Sequence, residues 1–285
     1  MIPAAFEYVA PDSIAAAVSA LAEAGEDAKV LAGGQSLIPI LRLRLSYPSV
    51  LVDLRKVDEL RGVREDGDQI VIGSMTRHSD VITDPLIRQH AALVAEATAT
   101  VADPAVRHRG TFGGALAHAD PAGDLAAVAL ALDAQLVAQG PGGRRTIAAA
   151  DFFLDYLQTA LSPDELLVEV RLPKLVGQWG VAYEKFNRVA QAWAIVGVAA
   201  AVRRDNGSIA EARVGLTNMG STPVRANAVE AALAGAGASV AAVTAAAAHA
   251  ADGTNPPADL GGQPDYRQHL ARVLTRRAVV AAAGL

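Results

Sequence analysis

The stretch Val30-Leu31-Ala32-Gly33-Gly34-Gln35-Ser36-Leu37-Ile38-Pro39 sets two adjacent glycines between a short apolar run and a helix start. Paired glycines there mark a backbone that something approaches too closely for a side chain, or that needs a positive φ. The device returns at Gly110-Thr111-Phe112-Gly113-Gly114, followed by Ala115. Taken singly, each reads as a tight turn. Two of them in one chain point to one ligand held from two sides.

Outward from the first pair, residues 6–9 read as a strand, 14–24 as a helix with its cap in 11–13 and its stop at Gly25, and 29–32 as a buried strand. A helix over 37–45 and a strand over 50–54 complete a small parallel unit. That order puts Gly33 and Gly34 at the C-terminal end of a strand and before a helix N-terminus. Backbone N–H groups and the helix dipole favour an anion there.

The rest of the chain divides in two, giving three parts at 1–54, 55–175 and 176–285. The middle part carries a hairpin signal at Asp66-Gly67 and helical patterns at 84–98 and 124–132. Its strand patterns at 134–138 and 166–172 are separated by the glycine-rich turn 140–143. The second glycine segment reads as a loop, after an irregular stretch at 103–109. The last part shows strands at 181–186, 193–203 and 209–216, with Asn206-Gly207 turning the last two, then alanine-rich helices at 226–234, 239–251 and 265–283. The class is α+β.

Composition narrows the function. A chain of 285 residues with 52% hydrophobic and 19% charged residues can bury a sizeable core. A net charge of −5 and 4% aromatic residues supply neither a basic field nor stacking surfaces for nucleic acid. The absence of cysteine leaves no place for a disulfide, an iron–sulfur cluster or a thiolate zinc site. The N-terminal residues lack a secretory pattern and the longest apolar run, 192–202, is too short to span a bilayer, so a cytoplasmic protein is expected. The fingerprints GxGxxG, GK[ST] and GxSxG are absent. A hydrolytic metal site from Asp103, His108, His118, Asp120 and Asp124 has irregular spacing, and no metal is expected on this chain.

Three segments together, 32–45, 102–127 and 215–226, resemble the flavin subunits of molybdenum hydroxylases, the family of carbon monoxide dehydrogenase medium chains and bacterial xanthine dehydrogenase FAD-binding subunits. The resemblance spans nearly the whole chain in order. It implies a vanillyl-alcohol-oxidase-type fold with FAD between the first two parts and the third covering the flavin. Ala32, Gly33, Gly34, Gln35 and Ser36 then match the first FAD segment, and Thr111, Phe112, Gly113, Gly114 and Ala115 the second.

Asp124 matches a flavin-contacting carboxylate, with the cap of a helix from Leu125 as the alternative. Lys185 matches a cation reaching the flavin, against an exposed strand lysine; Trp193 matches an aromatic near the isoalloxazine, against an ordinary core tryptophan. Two positions depart from the family pattern: Ala115 stands where asparagine is common, and Gln35 where carbon monoxide dehydrogenases often carry histidine. The resemblance further implies electron transfer, with no catalytic residue of this chain's own. A large molybdenum-cofactor chain and a small chain with [2Fe–2S] clusters are the implied partners, in a dimer of heterotrimers. A self-sufficient FAD-dependent oxidase or reductase is the alternative.

Overall fold

The computed structural model describes residues 1–285. Glu7–Val9, Val50–Asp53 and Ala28–Leu31 form a parallel sheet with Val50–Asp53 in the middle. The helix Ile14–Ala24 starts where the Ser13 hydroxyl accepts from the Ala16 N–H, and stops at Gly25, whose φ is 69°. Its buried residues Ile14, Ala17, Val18 and Leu21 keep a helical stripe that faces the sheet. The helix after the first glycine pair is shorter than its pattern predicts, Leu37–Arg42 instead of 37–45. Arg44 takes a φ of 56°, which ends the helix before Leu45.

The second sheet is antiparallel, in the order Val63–Asp66, Gln69–Gly73, Leu166–Pro173, Gln135–Gly140, Gly143–Ala148. Val137, Leu166 and Val168 of this sheet share one core with Ile14, Leu21 and Val52, so the two sheets are packed into one body.

Three sequence expectations fail in this part. The helix over 84–98 breaks at Ala91, whose φ of −144° and ψ of 44° leave the helical region, into Pro85–His90 and Ala92–Ala99; the His90 carbonyl accepts from the distant Leu175 N–H. The stretch 103–109 contains a helical turn, Pro104–Arg107, whose Val106 N–H donates to the Asp103 side chain. The second glycine segment is no loop: Thr111 caps the helix Phe112–His118, and Gly113 and Gly114 lie in its first turn.

The third sheet runs Trp179–Phe186, Val196–Asp205, Ser208–Thr217, Val224–Arg225, all antiparallel. The strand expected over 193–203 begins only at Val196, which leaves Trp193 on the preceding loop. Side chains alternate along Val196–Asp205: Ala199 and Ala201 join the core of the middle part, while Val198, Ala200 and Val202 join the core under the C-terminal helices. Glycines bring both neighbours to contact distance. A Cβ at Gly215 would lie 2.2 Å from the Ala127 carbonyl oxygen, and one at Gly180 1.9 Å from that of Ala282. The helices Asp124–Ala131 and Pro264–Ala283 therefore press on opposite faces of one sheet, and every residue of Asp124–Ala131 is buried. No helix is long and apolar enough to cross a membrane.

Candidate functional site

What crowds Gly33 is the other glycine segment. A Cβ at Gly33 would lie 2.3 Å from the Arg109 carbonyl oxygen and 2.7 Å from the Gly110 Cα. A Cβ at Gly114 would meet the Thr111 Oγ1 at 2.6 Å and the Ala32 Cβ at 3.3 Å, and one at Gly113 the Ser74 Cβ at 2.4 Å. Gly34 serves a different need, a φ of 74°. The glycines thus join two segments, remote in sequence, into one surface.

Most of the unused donors of that surface lie on one side, with the Thr111 N–H the exception on the other. The N–H groups of Gly33, Gly34, Gln35 and Ser36 donate to no protein acceptor, and the Ser36 side chain makes no cap. On the other side the Gly113 N–H donates to the Ser74 carbonyl at 2.9 Å, that of Gly114 to the Thr111 hydroxyl at 3.2 Å, and that of Ala115 to the Thr111 carbonyl at 3.0 Å. Phe112 points into the core, 1% exposed. The second segment therefore presents Thr111, and its glycines serve packing.

A cavity of about 220 Å³ lies against this surface, lined by Ala32, Gly33, Arg55, Arg61, Met75, Arg77, Arg109 and Thr111. No carboxylate lines it. Arg77 and Thr111 pair as an antiparallel bridge, which fixes one guanidinium-bearing residue beside the cap. Sequence reasoning missed the arginines, since four residues spread over 55–109 on separate segments form no motif. The geometry suits a polyanion: free N–H donors and positive charge converge on one small space.

His78 supports the second segment from below. Its backbone N–H donates to the Gly110 carbonyl at 3.0 Å, and a Cβ on Gly110 would lie 2.8 Å from the His78 Cδ2. The ring is 3% exposed with an unpartnered Nδ1. Burial, helped by the Arg107 charge, holds its pKa down to about 4. Between the ordinary 6.5 and about 4, the unfolded chain binds a proton that the native ring refuses. The stability from the neutral ring is present above that window and lost as pH falls through it, about 3 kcal/mol at most. His78→Gln should flatten the fall in urea-unfolding stability between pH 6.5 and 4.5; parallel curves for both proteins would refute the assignment.

Asp124 does not cap its helix. Gly123 occupies the cap position, and the Asp124 carboxylate instead accepts from the Tyr183 hydroxyl at 2.7 Å and the Lys185 Nζ at 2.8 Å. Both ion-pair side chains are buried, 3% exposed for Asp124 and 6% for Lys185, so Lys185 is not an exposed strand lysine. It also donates to the Thr100 carbonyl at 3.1 Å. Burial pushes the Asp124 carboxyl upward, opposed by the Lys185 ammonium and the Tyr183 hydroxyl, while burial and the facing carboxylate push the Tyr183 phenol well up. Trp193 is 53% exposed, not a core residue; its ring centroid is 6.5 Å from that of His118.

The side chains weighed as metal ligands are dispersed. Asp103 serves its helical turn and the Gln191 amide, Asp124 its ion pair, and His118 lies 3.9 Å from Asp120 with no third ligand.

Residues 4–175 match the family of the FAD binding domain in molybdopterin dehydrogenase, and residues 181–282 that of the CO dehydrogenase flavoprotein C-terminal domain. The chain belongs to this flavoprotein family. Its likeness to the carbon monoxide dehydrogenase medium chain of Hydrogenophaga pseudoflava is 42% identity over 282 residues, 99% of this chain and 98% of that one. The 6-hydroxypseudooxynicotine dehydrogenase complex subunit alpha of Paenarthrobacter nicotinovorans is 39% identical, covering 99% of this chain and 96% of its own. The solved carbon monoxide dehydrogenase of Hydrogenophaga pseudoflava lacking the Mo-pyranopterin moiety superposes with a TM-score of 0.97 at 44% identity, covering 100% of this chain and 99% of that one.

The chain is thus an FAD-binding flavoprotein subunit of the molybdenum hydroxylase type, and its residues fit the cofactor. The four free N–H groups at 33–36 and the arginine-lined cavity match the charge of the FAD diphosphate. Relatives named for unlike substrates are almost equally similar, so this flavoprotein's sequence does not select between them.

Proposed function

We propose that the chain is the electron-transfer subunit of a molybdenum hydroxylase complex, with FAD held at Ala32, Gly33, Gly34, Gln35, Ser36 and Thr111, while Phe112, Gly113, Gly114 and Ala115 pack the segment that presents Thr111. FAD supplies a centre that accepts single electrons and releases pairs, linking [2Fe–2S] clusters on a partner chain to an external acceptor. The observation that carries this reading is the row of free N–H groups at 33–36, whose first member, Gly33, lines with Thr111 and four arginines one cavity. Gly33 to Ser36 bind the diphosphate, Thr111 orients it, and Asp124, Lys185 and Trp193 stand toward the flavin. Both Asp124 oxygens keep a lone pair for a ligand hydroxyl beyond their bonds to Tyr183 and Lys185. Parts 1–54 and 55–175 enclose the cofactor, and 176–285 covers it.

The chain contains no cysteine, so the clusters reside on another chain. A large molybdenum-cofactor chain and a small [2Fe–2S] chain complete the unit, as a dimer of heterotrimers in the cytoplasm. In the test, the purified chain alone retains FAD, dithionite bleaches its 450 nm band, and no aldehyde, purine or carbon monoxide is oxidised with an artificial acceptor. Activity returns on mixing with the two partner chains. Turnover by the lone chain would establish the alternative, a self-sufficient flavin oxidase.

A further inference from the structure

Acidic residues outnumber basic ones, 30 to 25, and the structure pairs many cations with them: Arg64 with Glu169, Arg145 with Glu165, Arg213 with Asp133. Two arginines of the cavity beside Gly33 break that habit. Arg77 and Arg109 line the cavity and make neither an ion pair nor a side-chain hydrogen bond. Arg55 reaches Asp53 only at 3.6 Å and spends its other face on the Tyr8 ring, 5.6 Å away. Arg61 donates to the Arg55 carbonyl at 2.7 Å, and its buried Nε has no hydrogen bond, with the Asp58 carboxylate 3.5 Å away. Two unpaired guanidiniums beside two loosely paired ones repel one another, and an anion between them removes that cost.

Resting on the flavin reading above, we infer that Arg77 and Arg109, backed by Arg55 and Arg61, form the counter-charge for the FAD diphosphate and make the site select FAD over flavins without one. The free N–H groups at 33–36 fix where the phosphates sit; the arginines decide how strongly a dianion is preferred. Arg77 lies opposite Thr111 across their bridge, and Arg109 carries the carbonyl that packs on Gly33, so both are anchored by backbone that the site already requires. Guanidinium suits this role because its planar fork pairs two phosphate oxygens at once.

The test uses flavin-stripped protein titrated with FAD and riboflavin, comparing wild type with Arg77→Gln, Arg109→Gln and the double variant. Each change should weaken FAD about ten- to a hundredfold, the size of a hydrogen bond to a charged group, and leave riboflavin affinity within about threefold. Salt should weaken FAD binding more steeply in wild type than in the double variant. With like charges removed, the flavin-free double variant should melt at or above the wild-type temperature, whereas a merely structural role for these arginines would lower it. FAD affinity within threefold of wild type in the double variant overturns the inference, as does equal weakening of FAD and riboflavin. If wild type binds both flavins equally well, the inference fails and the flavin reading stands. If it binds neither, both fail.

Discussion

Gly33→Val should emerge from purification without FAD and with a lowered melting temperature. The new Cβ would sit 2.3 Å from the Arg109 carbonyl oxygen and 2.7 Å from the Gly110 Cα. Both are backbone atoms that cannot rotate away, so the two segments must part, and Gly33 leaves the cavity wall it shares with Thr111. We expect flavin content below about a tenth of wild type and a stability loss of about 2–4 kcal/mol, in the range of overpacking at a site that cannot yield. Gly34→Ala is the control. It strains a φ of 74°, yet its Cβ meets only side chains, first the Ile38 Cδ1 at 2.7 Å, so it should cost about 1 kcal/mol and retain FAD. The ratio of 450 to 280 nm absorbance and a thermal melt measure both effects. A Gly33→Val protein with full flavin and wild-type melting would refute the packing account.

Lys185→Met should cost about 3–5 kcal/mol, roughly 10 °C in Tm, because it strands a buried carboxylate. The Asp124 group is 3% exposed and would keep only the Tyr183 hydroxyl at 2.7 Å. Asp124→Asn should cost a similar amount by stranding the ammonium of Lys185, where a helix cap would tolerate the change. Asp124→Leu combined with Lys185→Met should recover much of the stability, since an apolar pair of similar volume leaves no charge behind. The same double variant should still lose flavin affinity if the pair faces the cofactor. Additive losses in a urea-unfolding cycle would show that the pair is not coupled.

These two cases show what the sequence could and could not disclose. The strand, paired glycines and helix around 30–39 were legible because local propensity and local structure agree there. Their purpose was only half legible. A glycine that admits a ligand and a glycine that admits another backbone leave the same letter in the chain, and at Gly33 it is the backbone of Arg109 that comes close. Asp124 reads as a flavin contact by resemblance and as a cap by its place before an apolar run; Gly123 takes the cap position and tertiary partners take the carboxylate. At the break at Ala91 the His90 carbonyl is met by Leu175, a contact between residues with no local relation. The arginines of the cavity stayed hidden for the same reason: convergence in space without spacing in sequence.

The helix Asp124–Ala131, buried at every residue, bears on when the protein becomes able to hold its cofactor. One of its sides is closed by the strands Val196–Asp205 and Ser208–Thr217, and the ion pair at its first turn needs Lys185. All three lie later in the chain. While the ribosome is still adding them, that side of the apolar helix has nothing over it, a surface that draws holdase chaperones. Flavin capture therefore belongs to the end of synthesis. A ribosome stalled at residue 175 should display a nascent chain that remains protease-sensitive with FAD in the medium, and a chain carrying all of residues 1–285 clear of the ribosome should not.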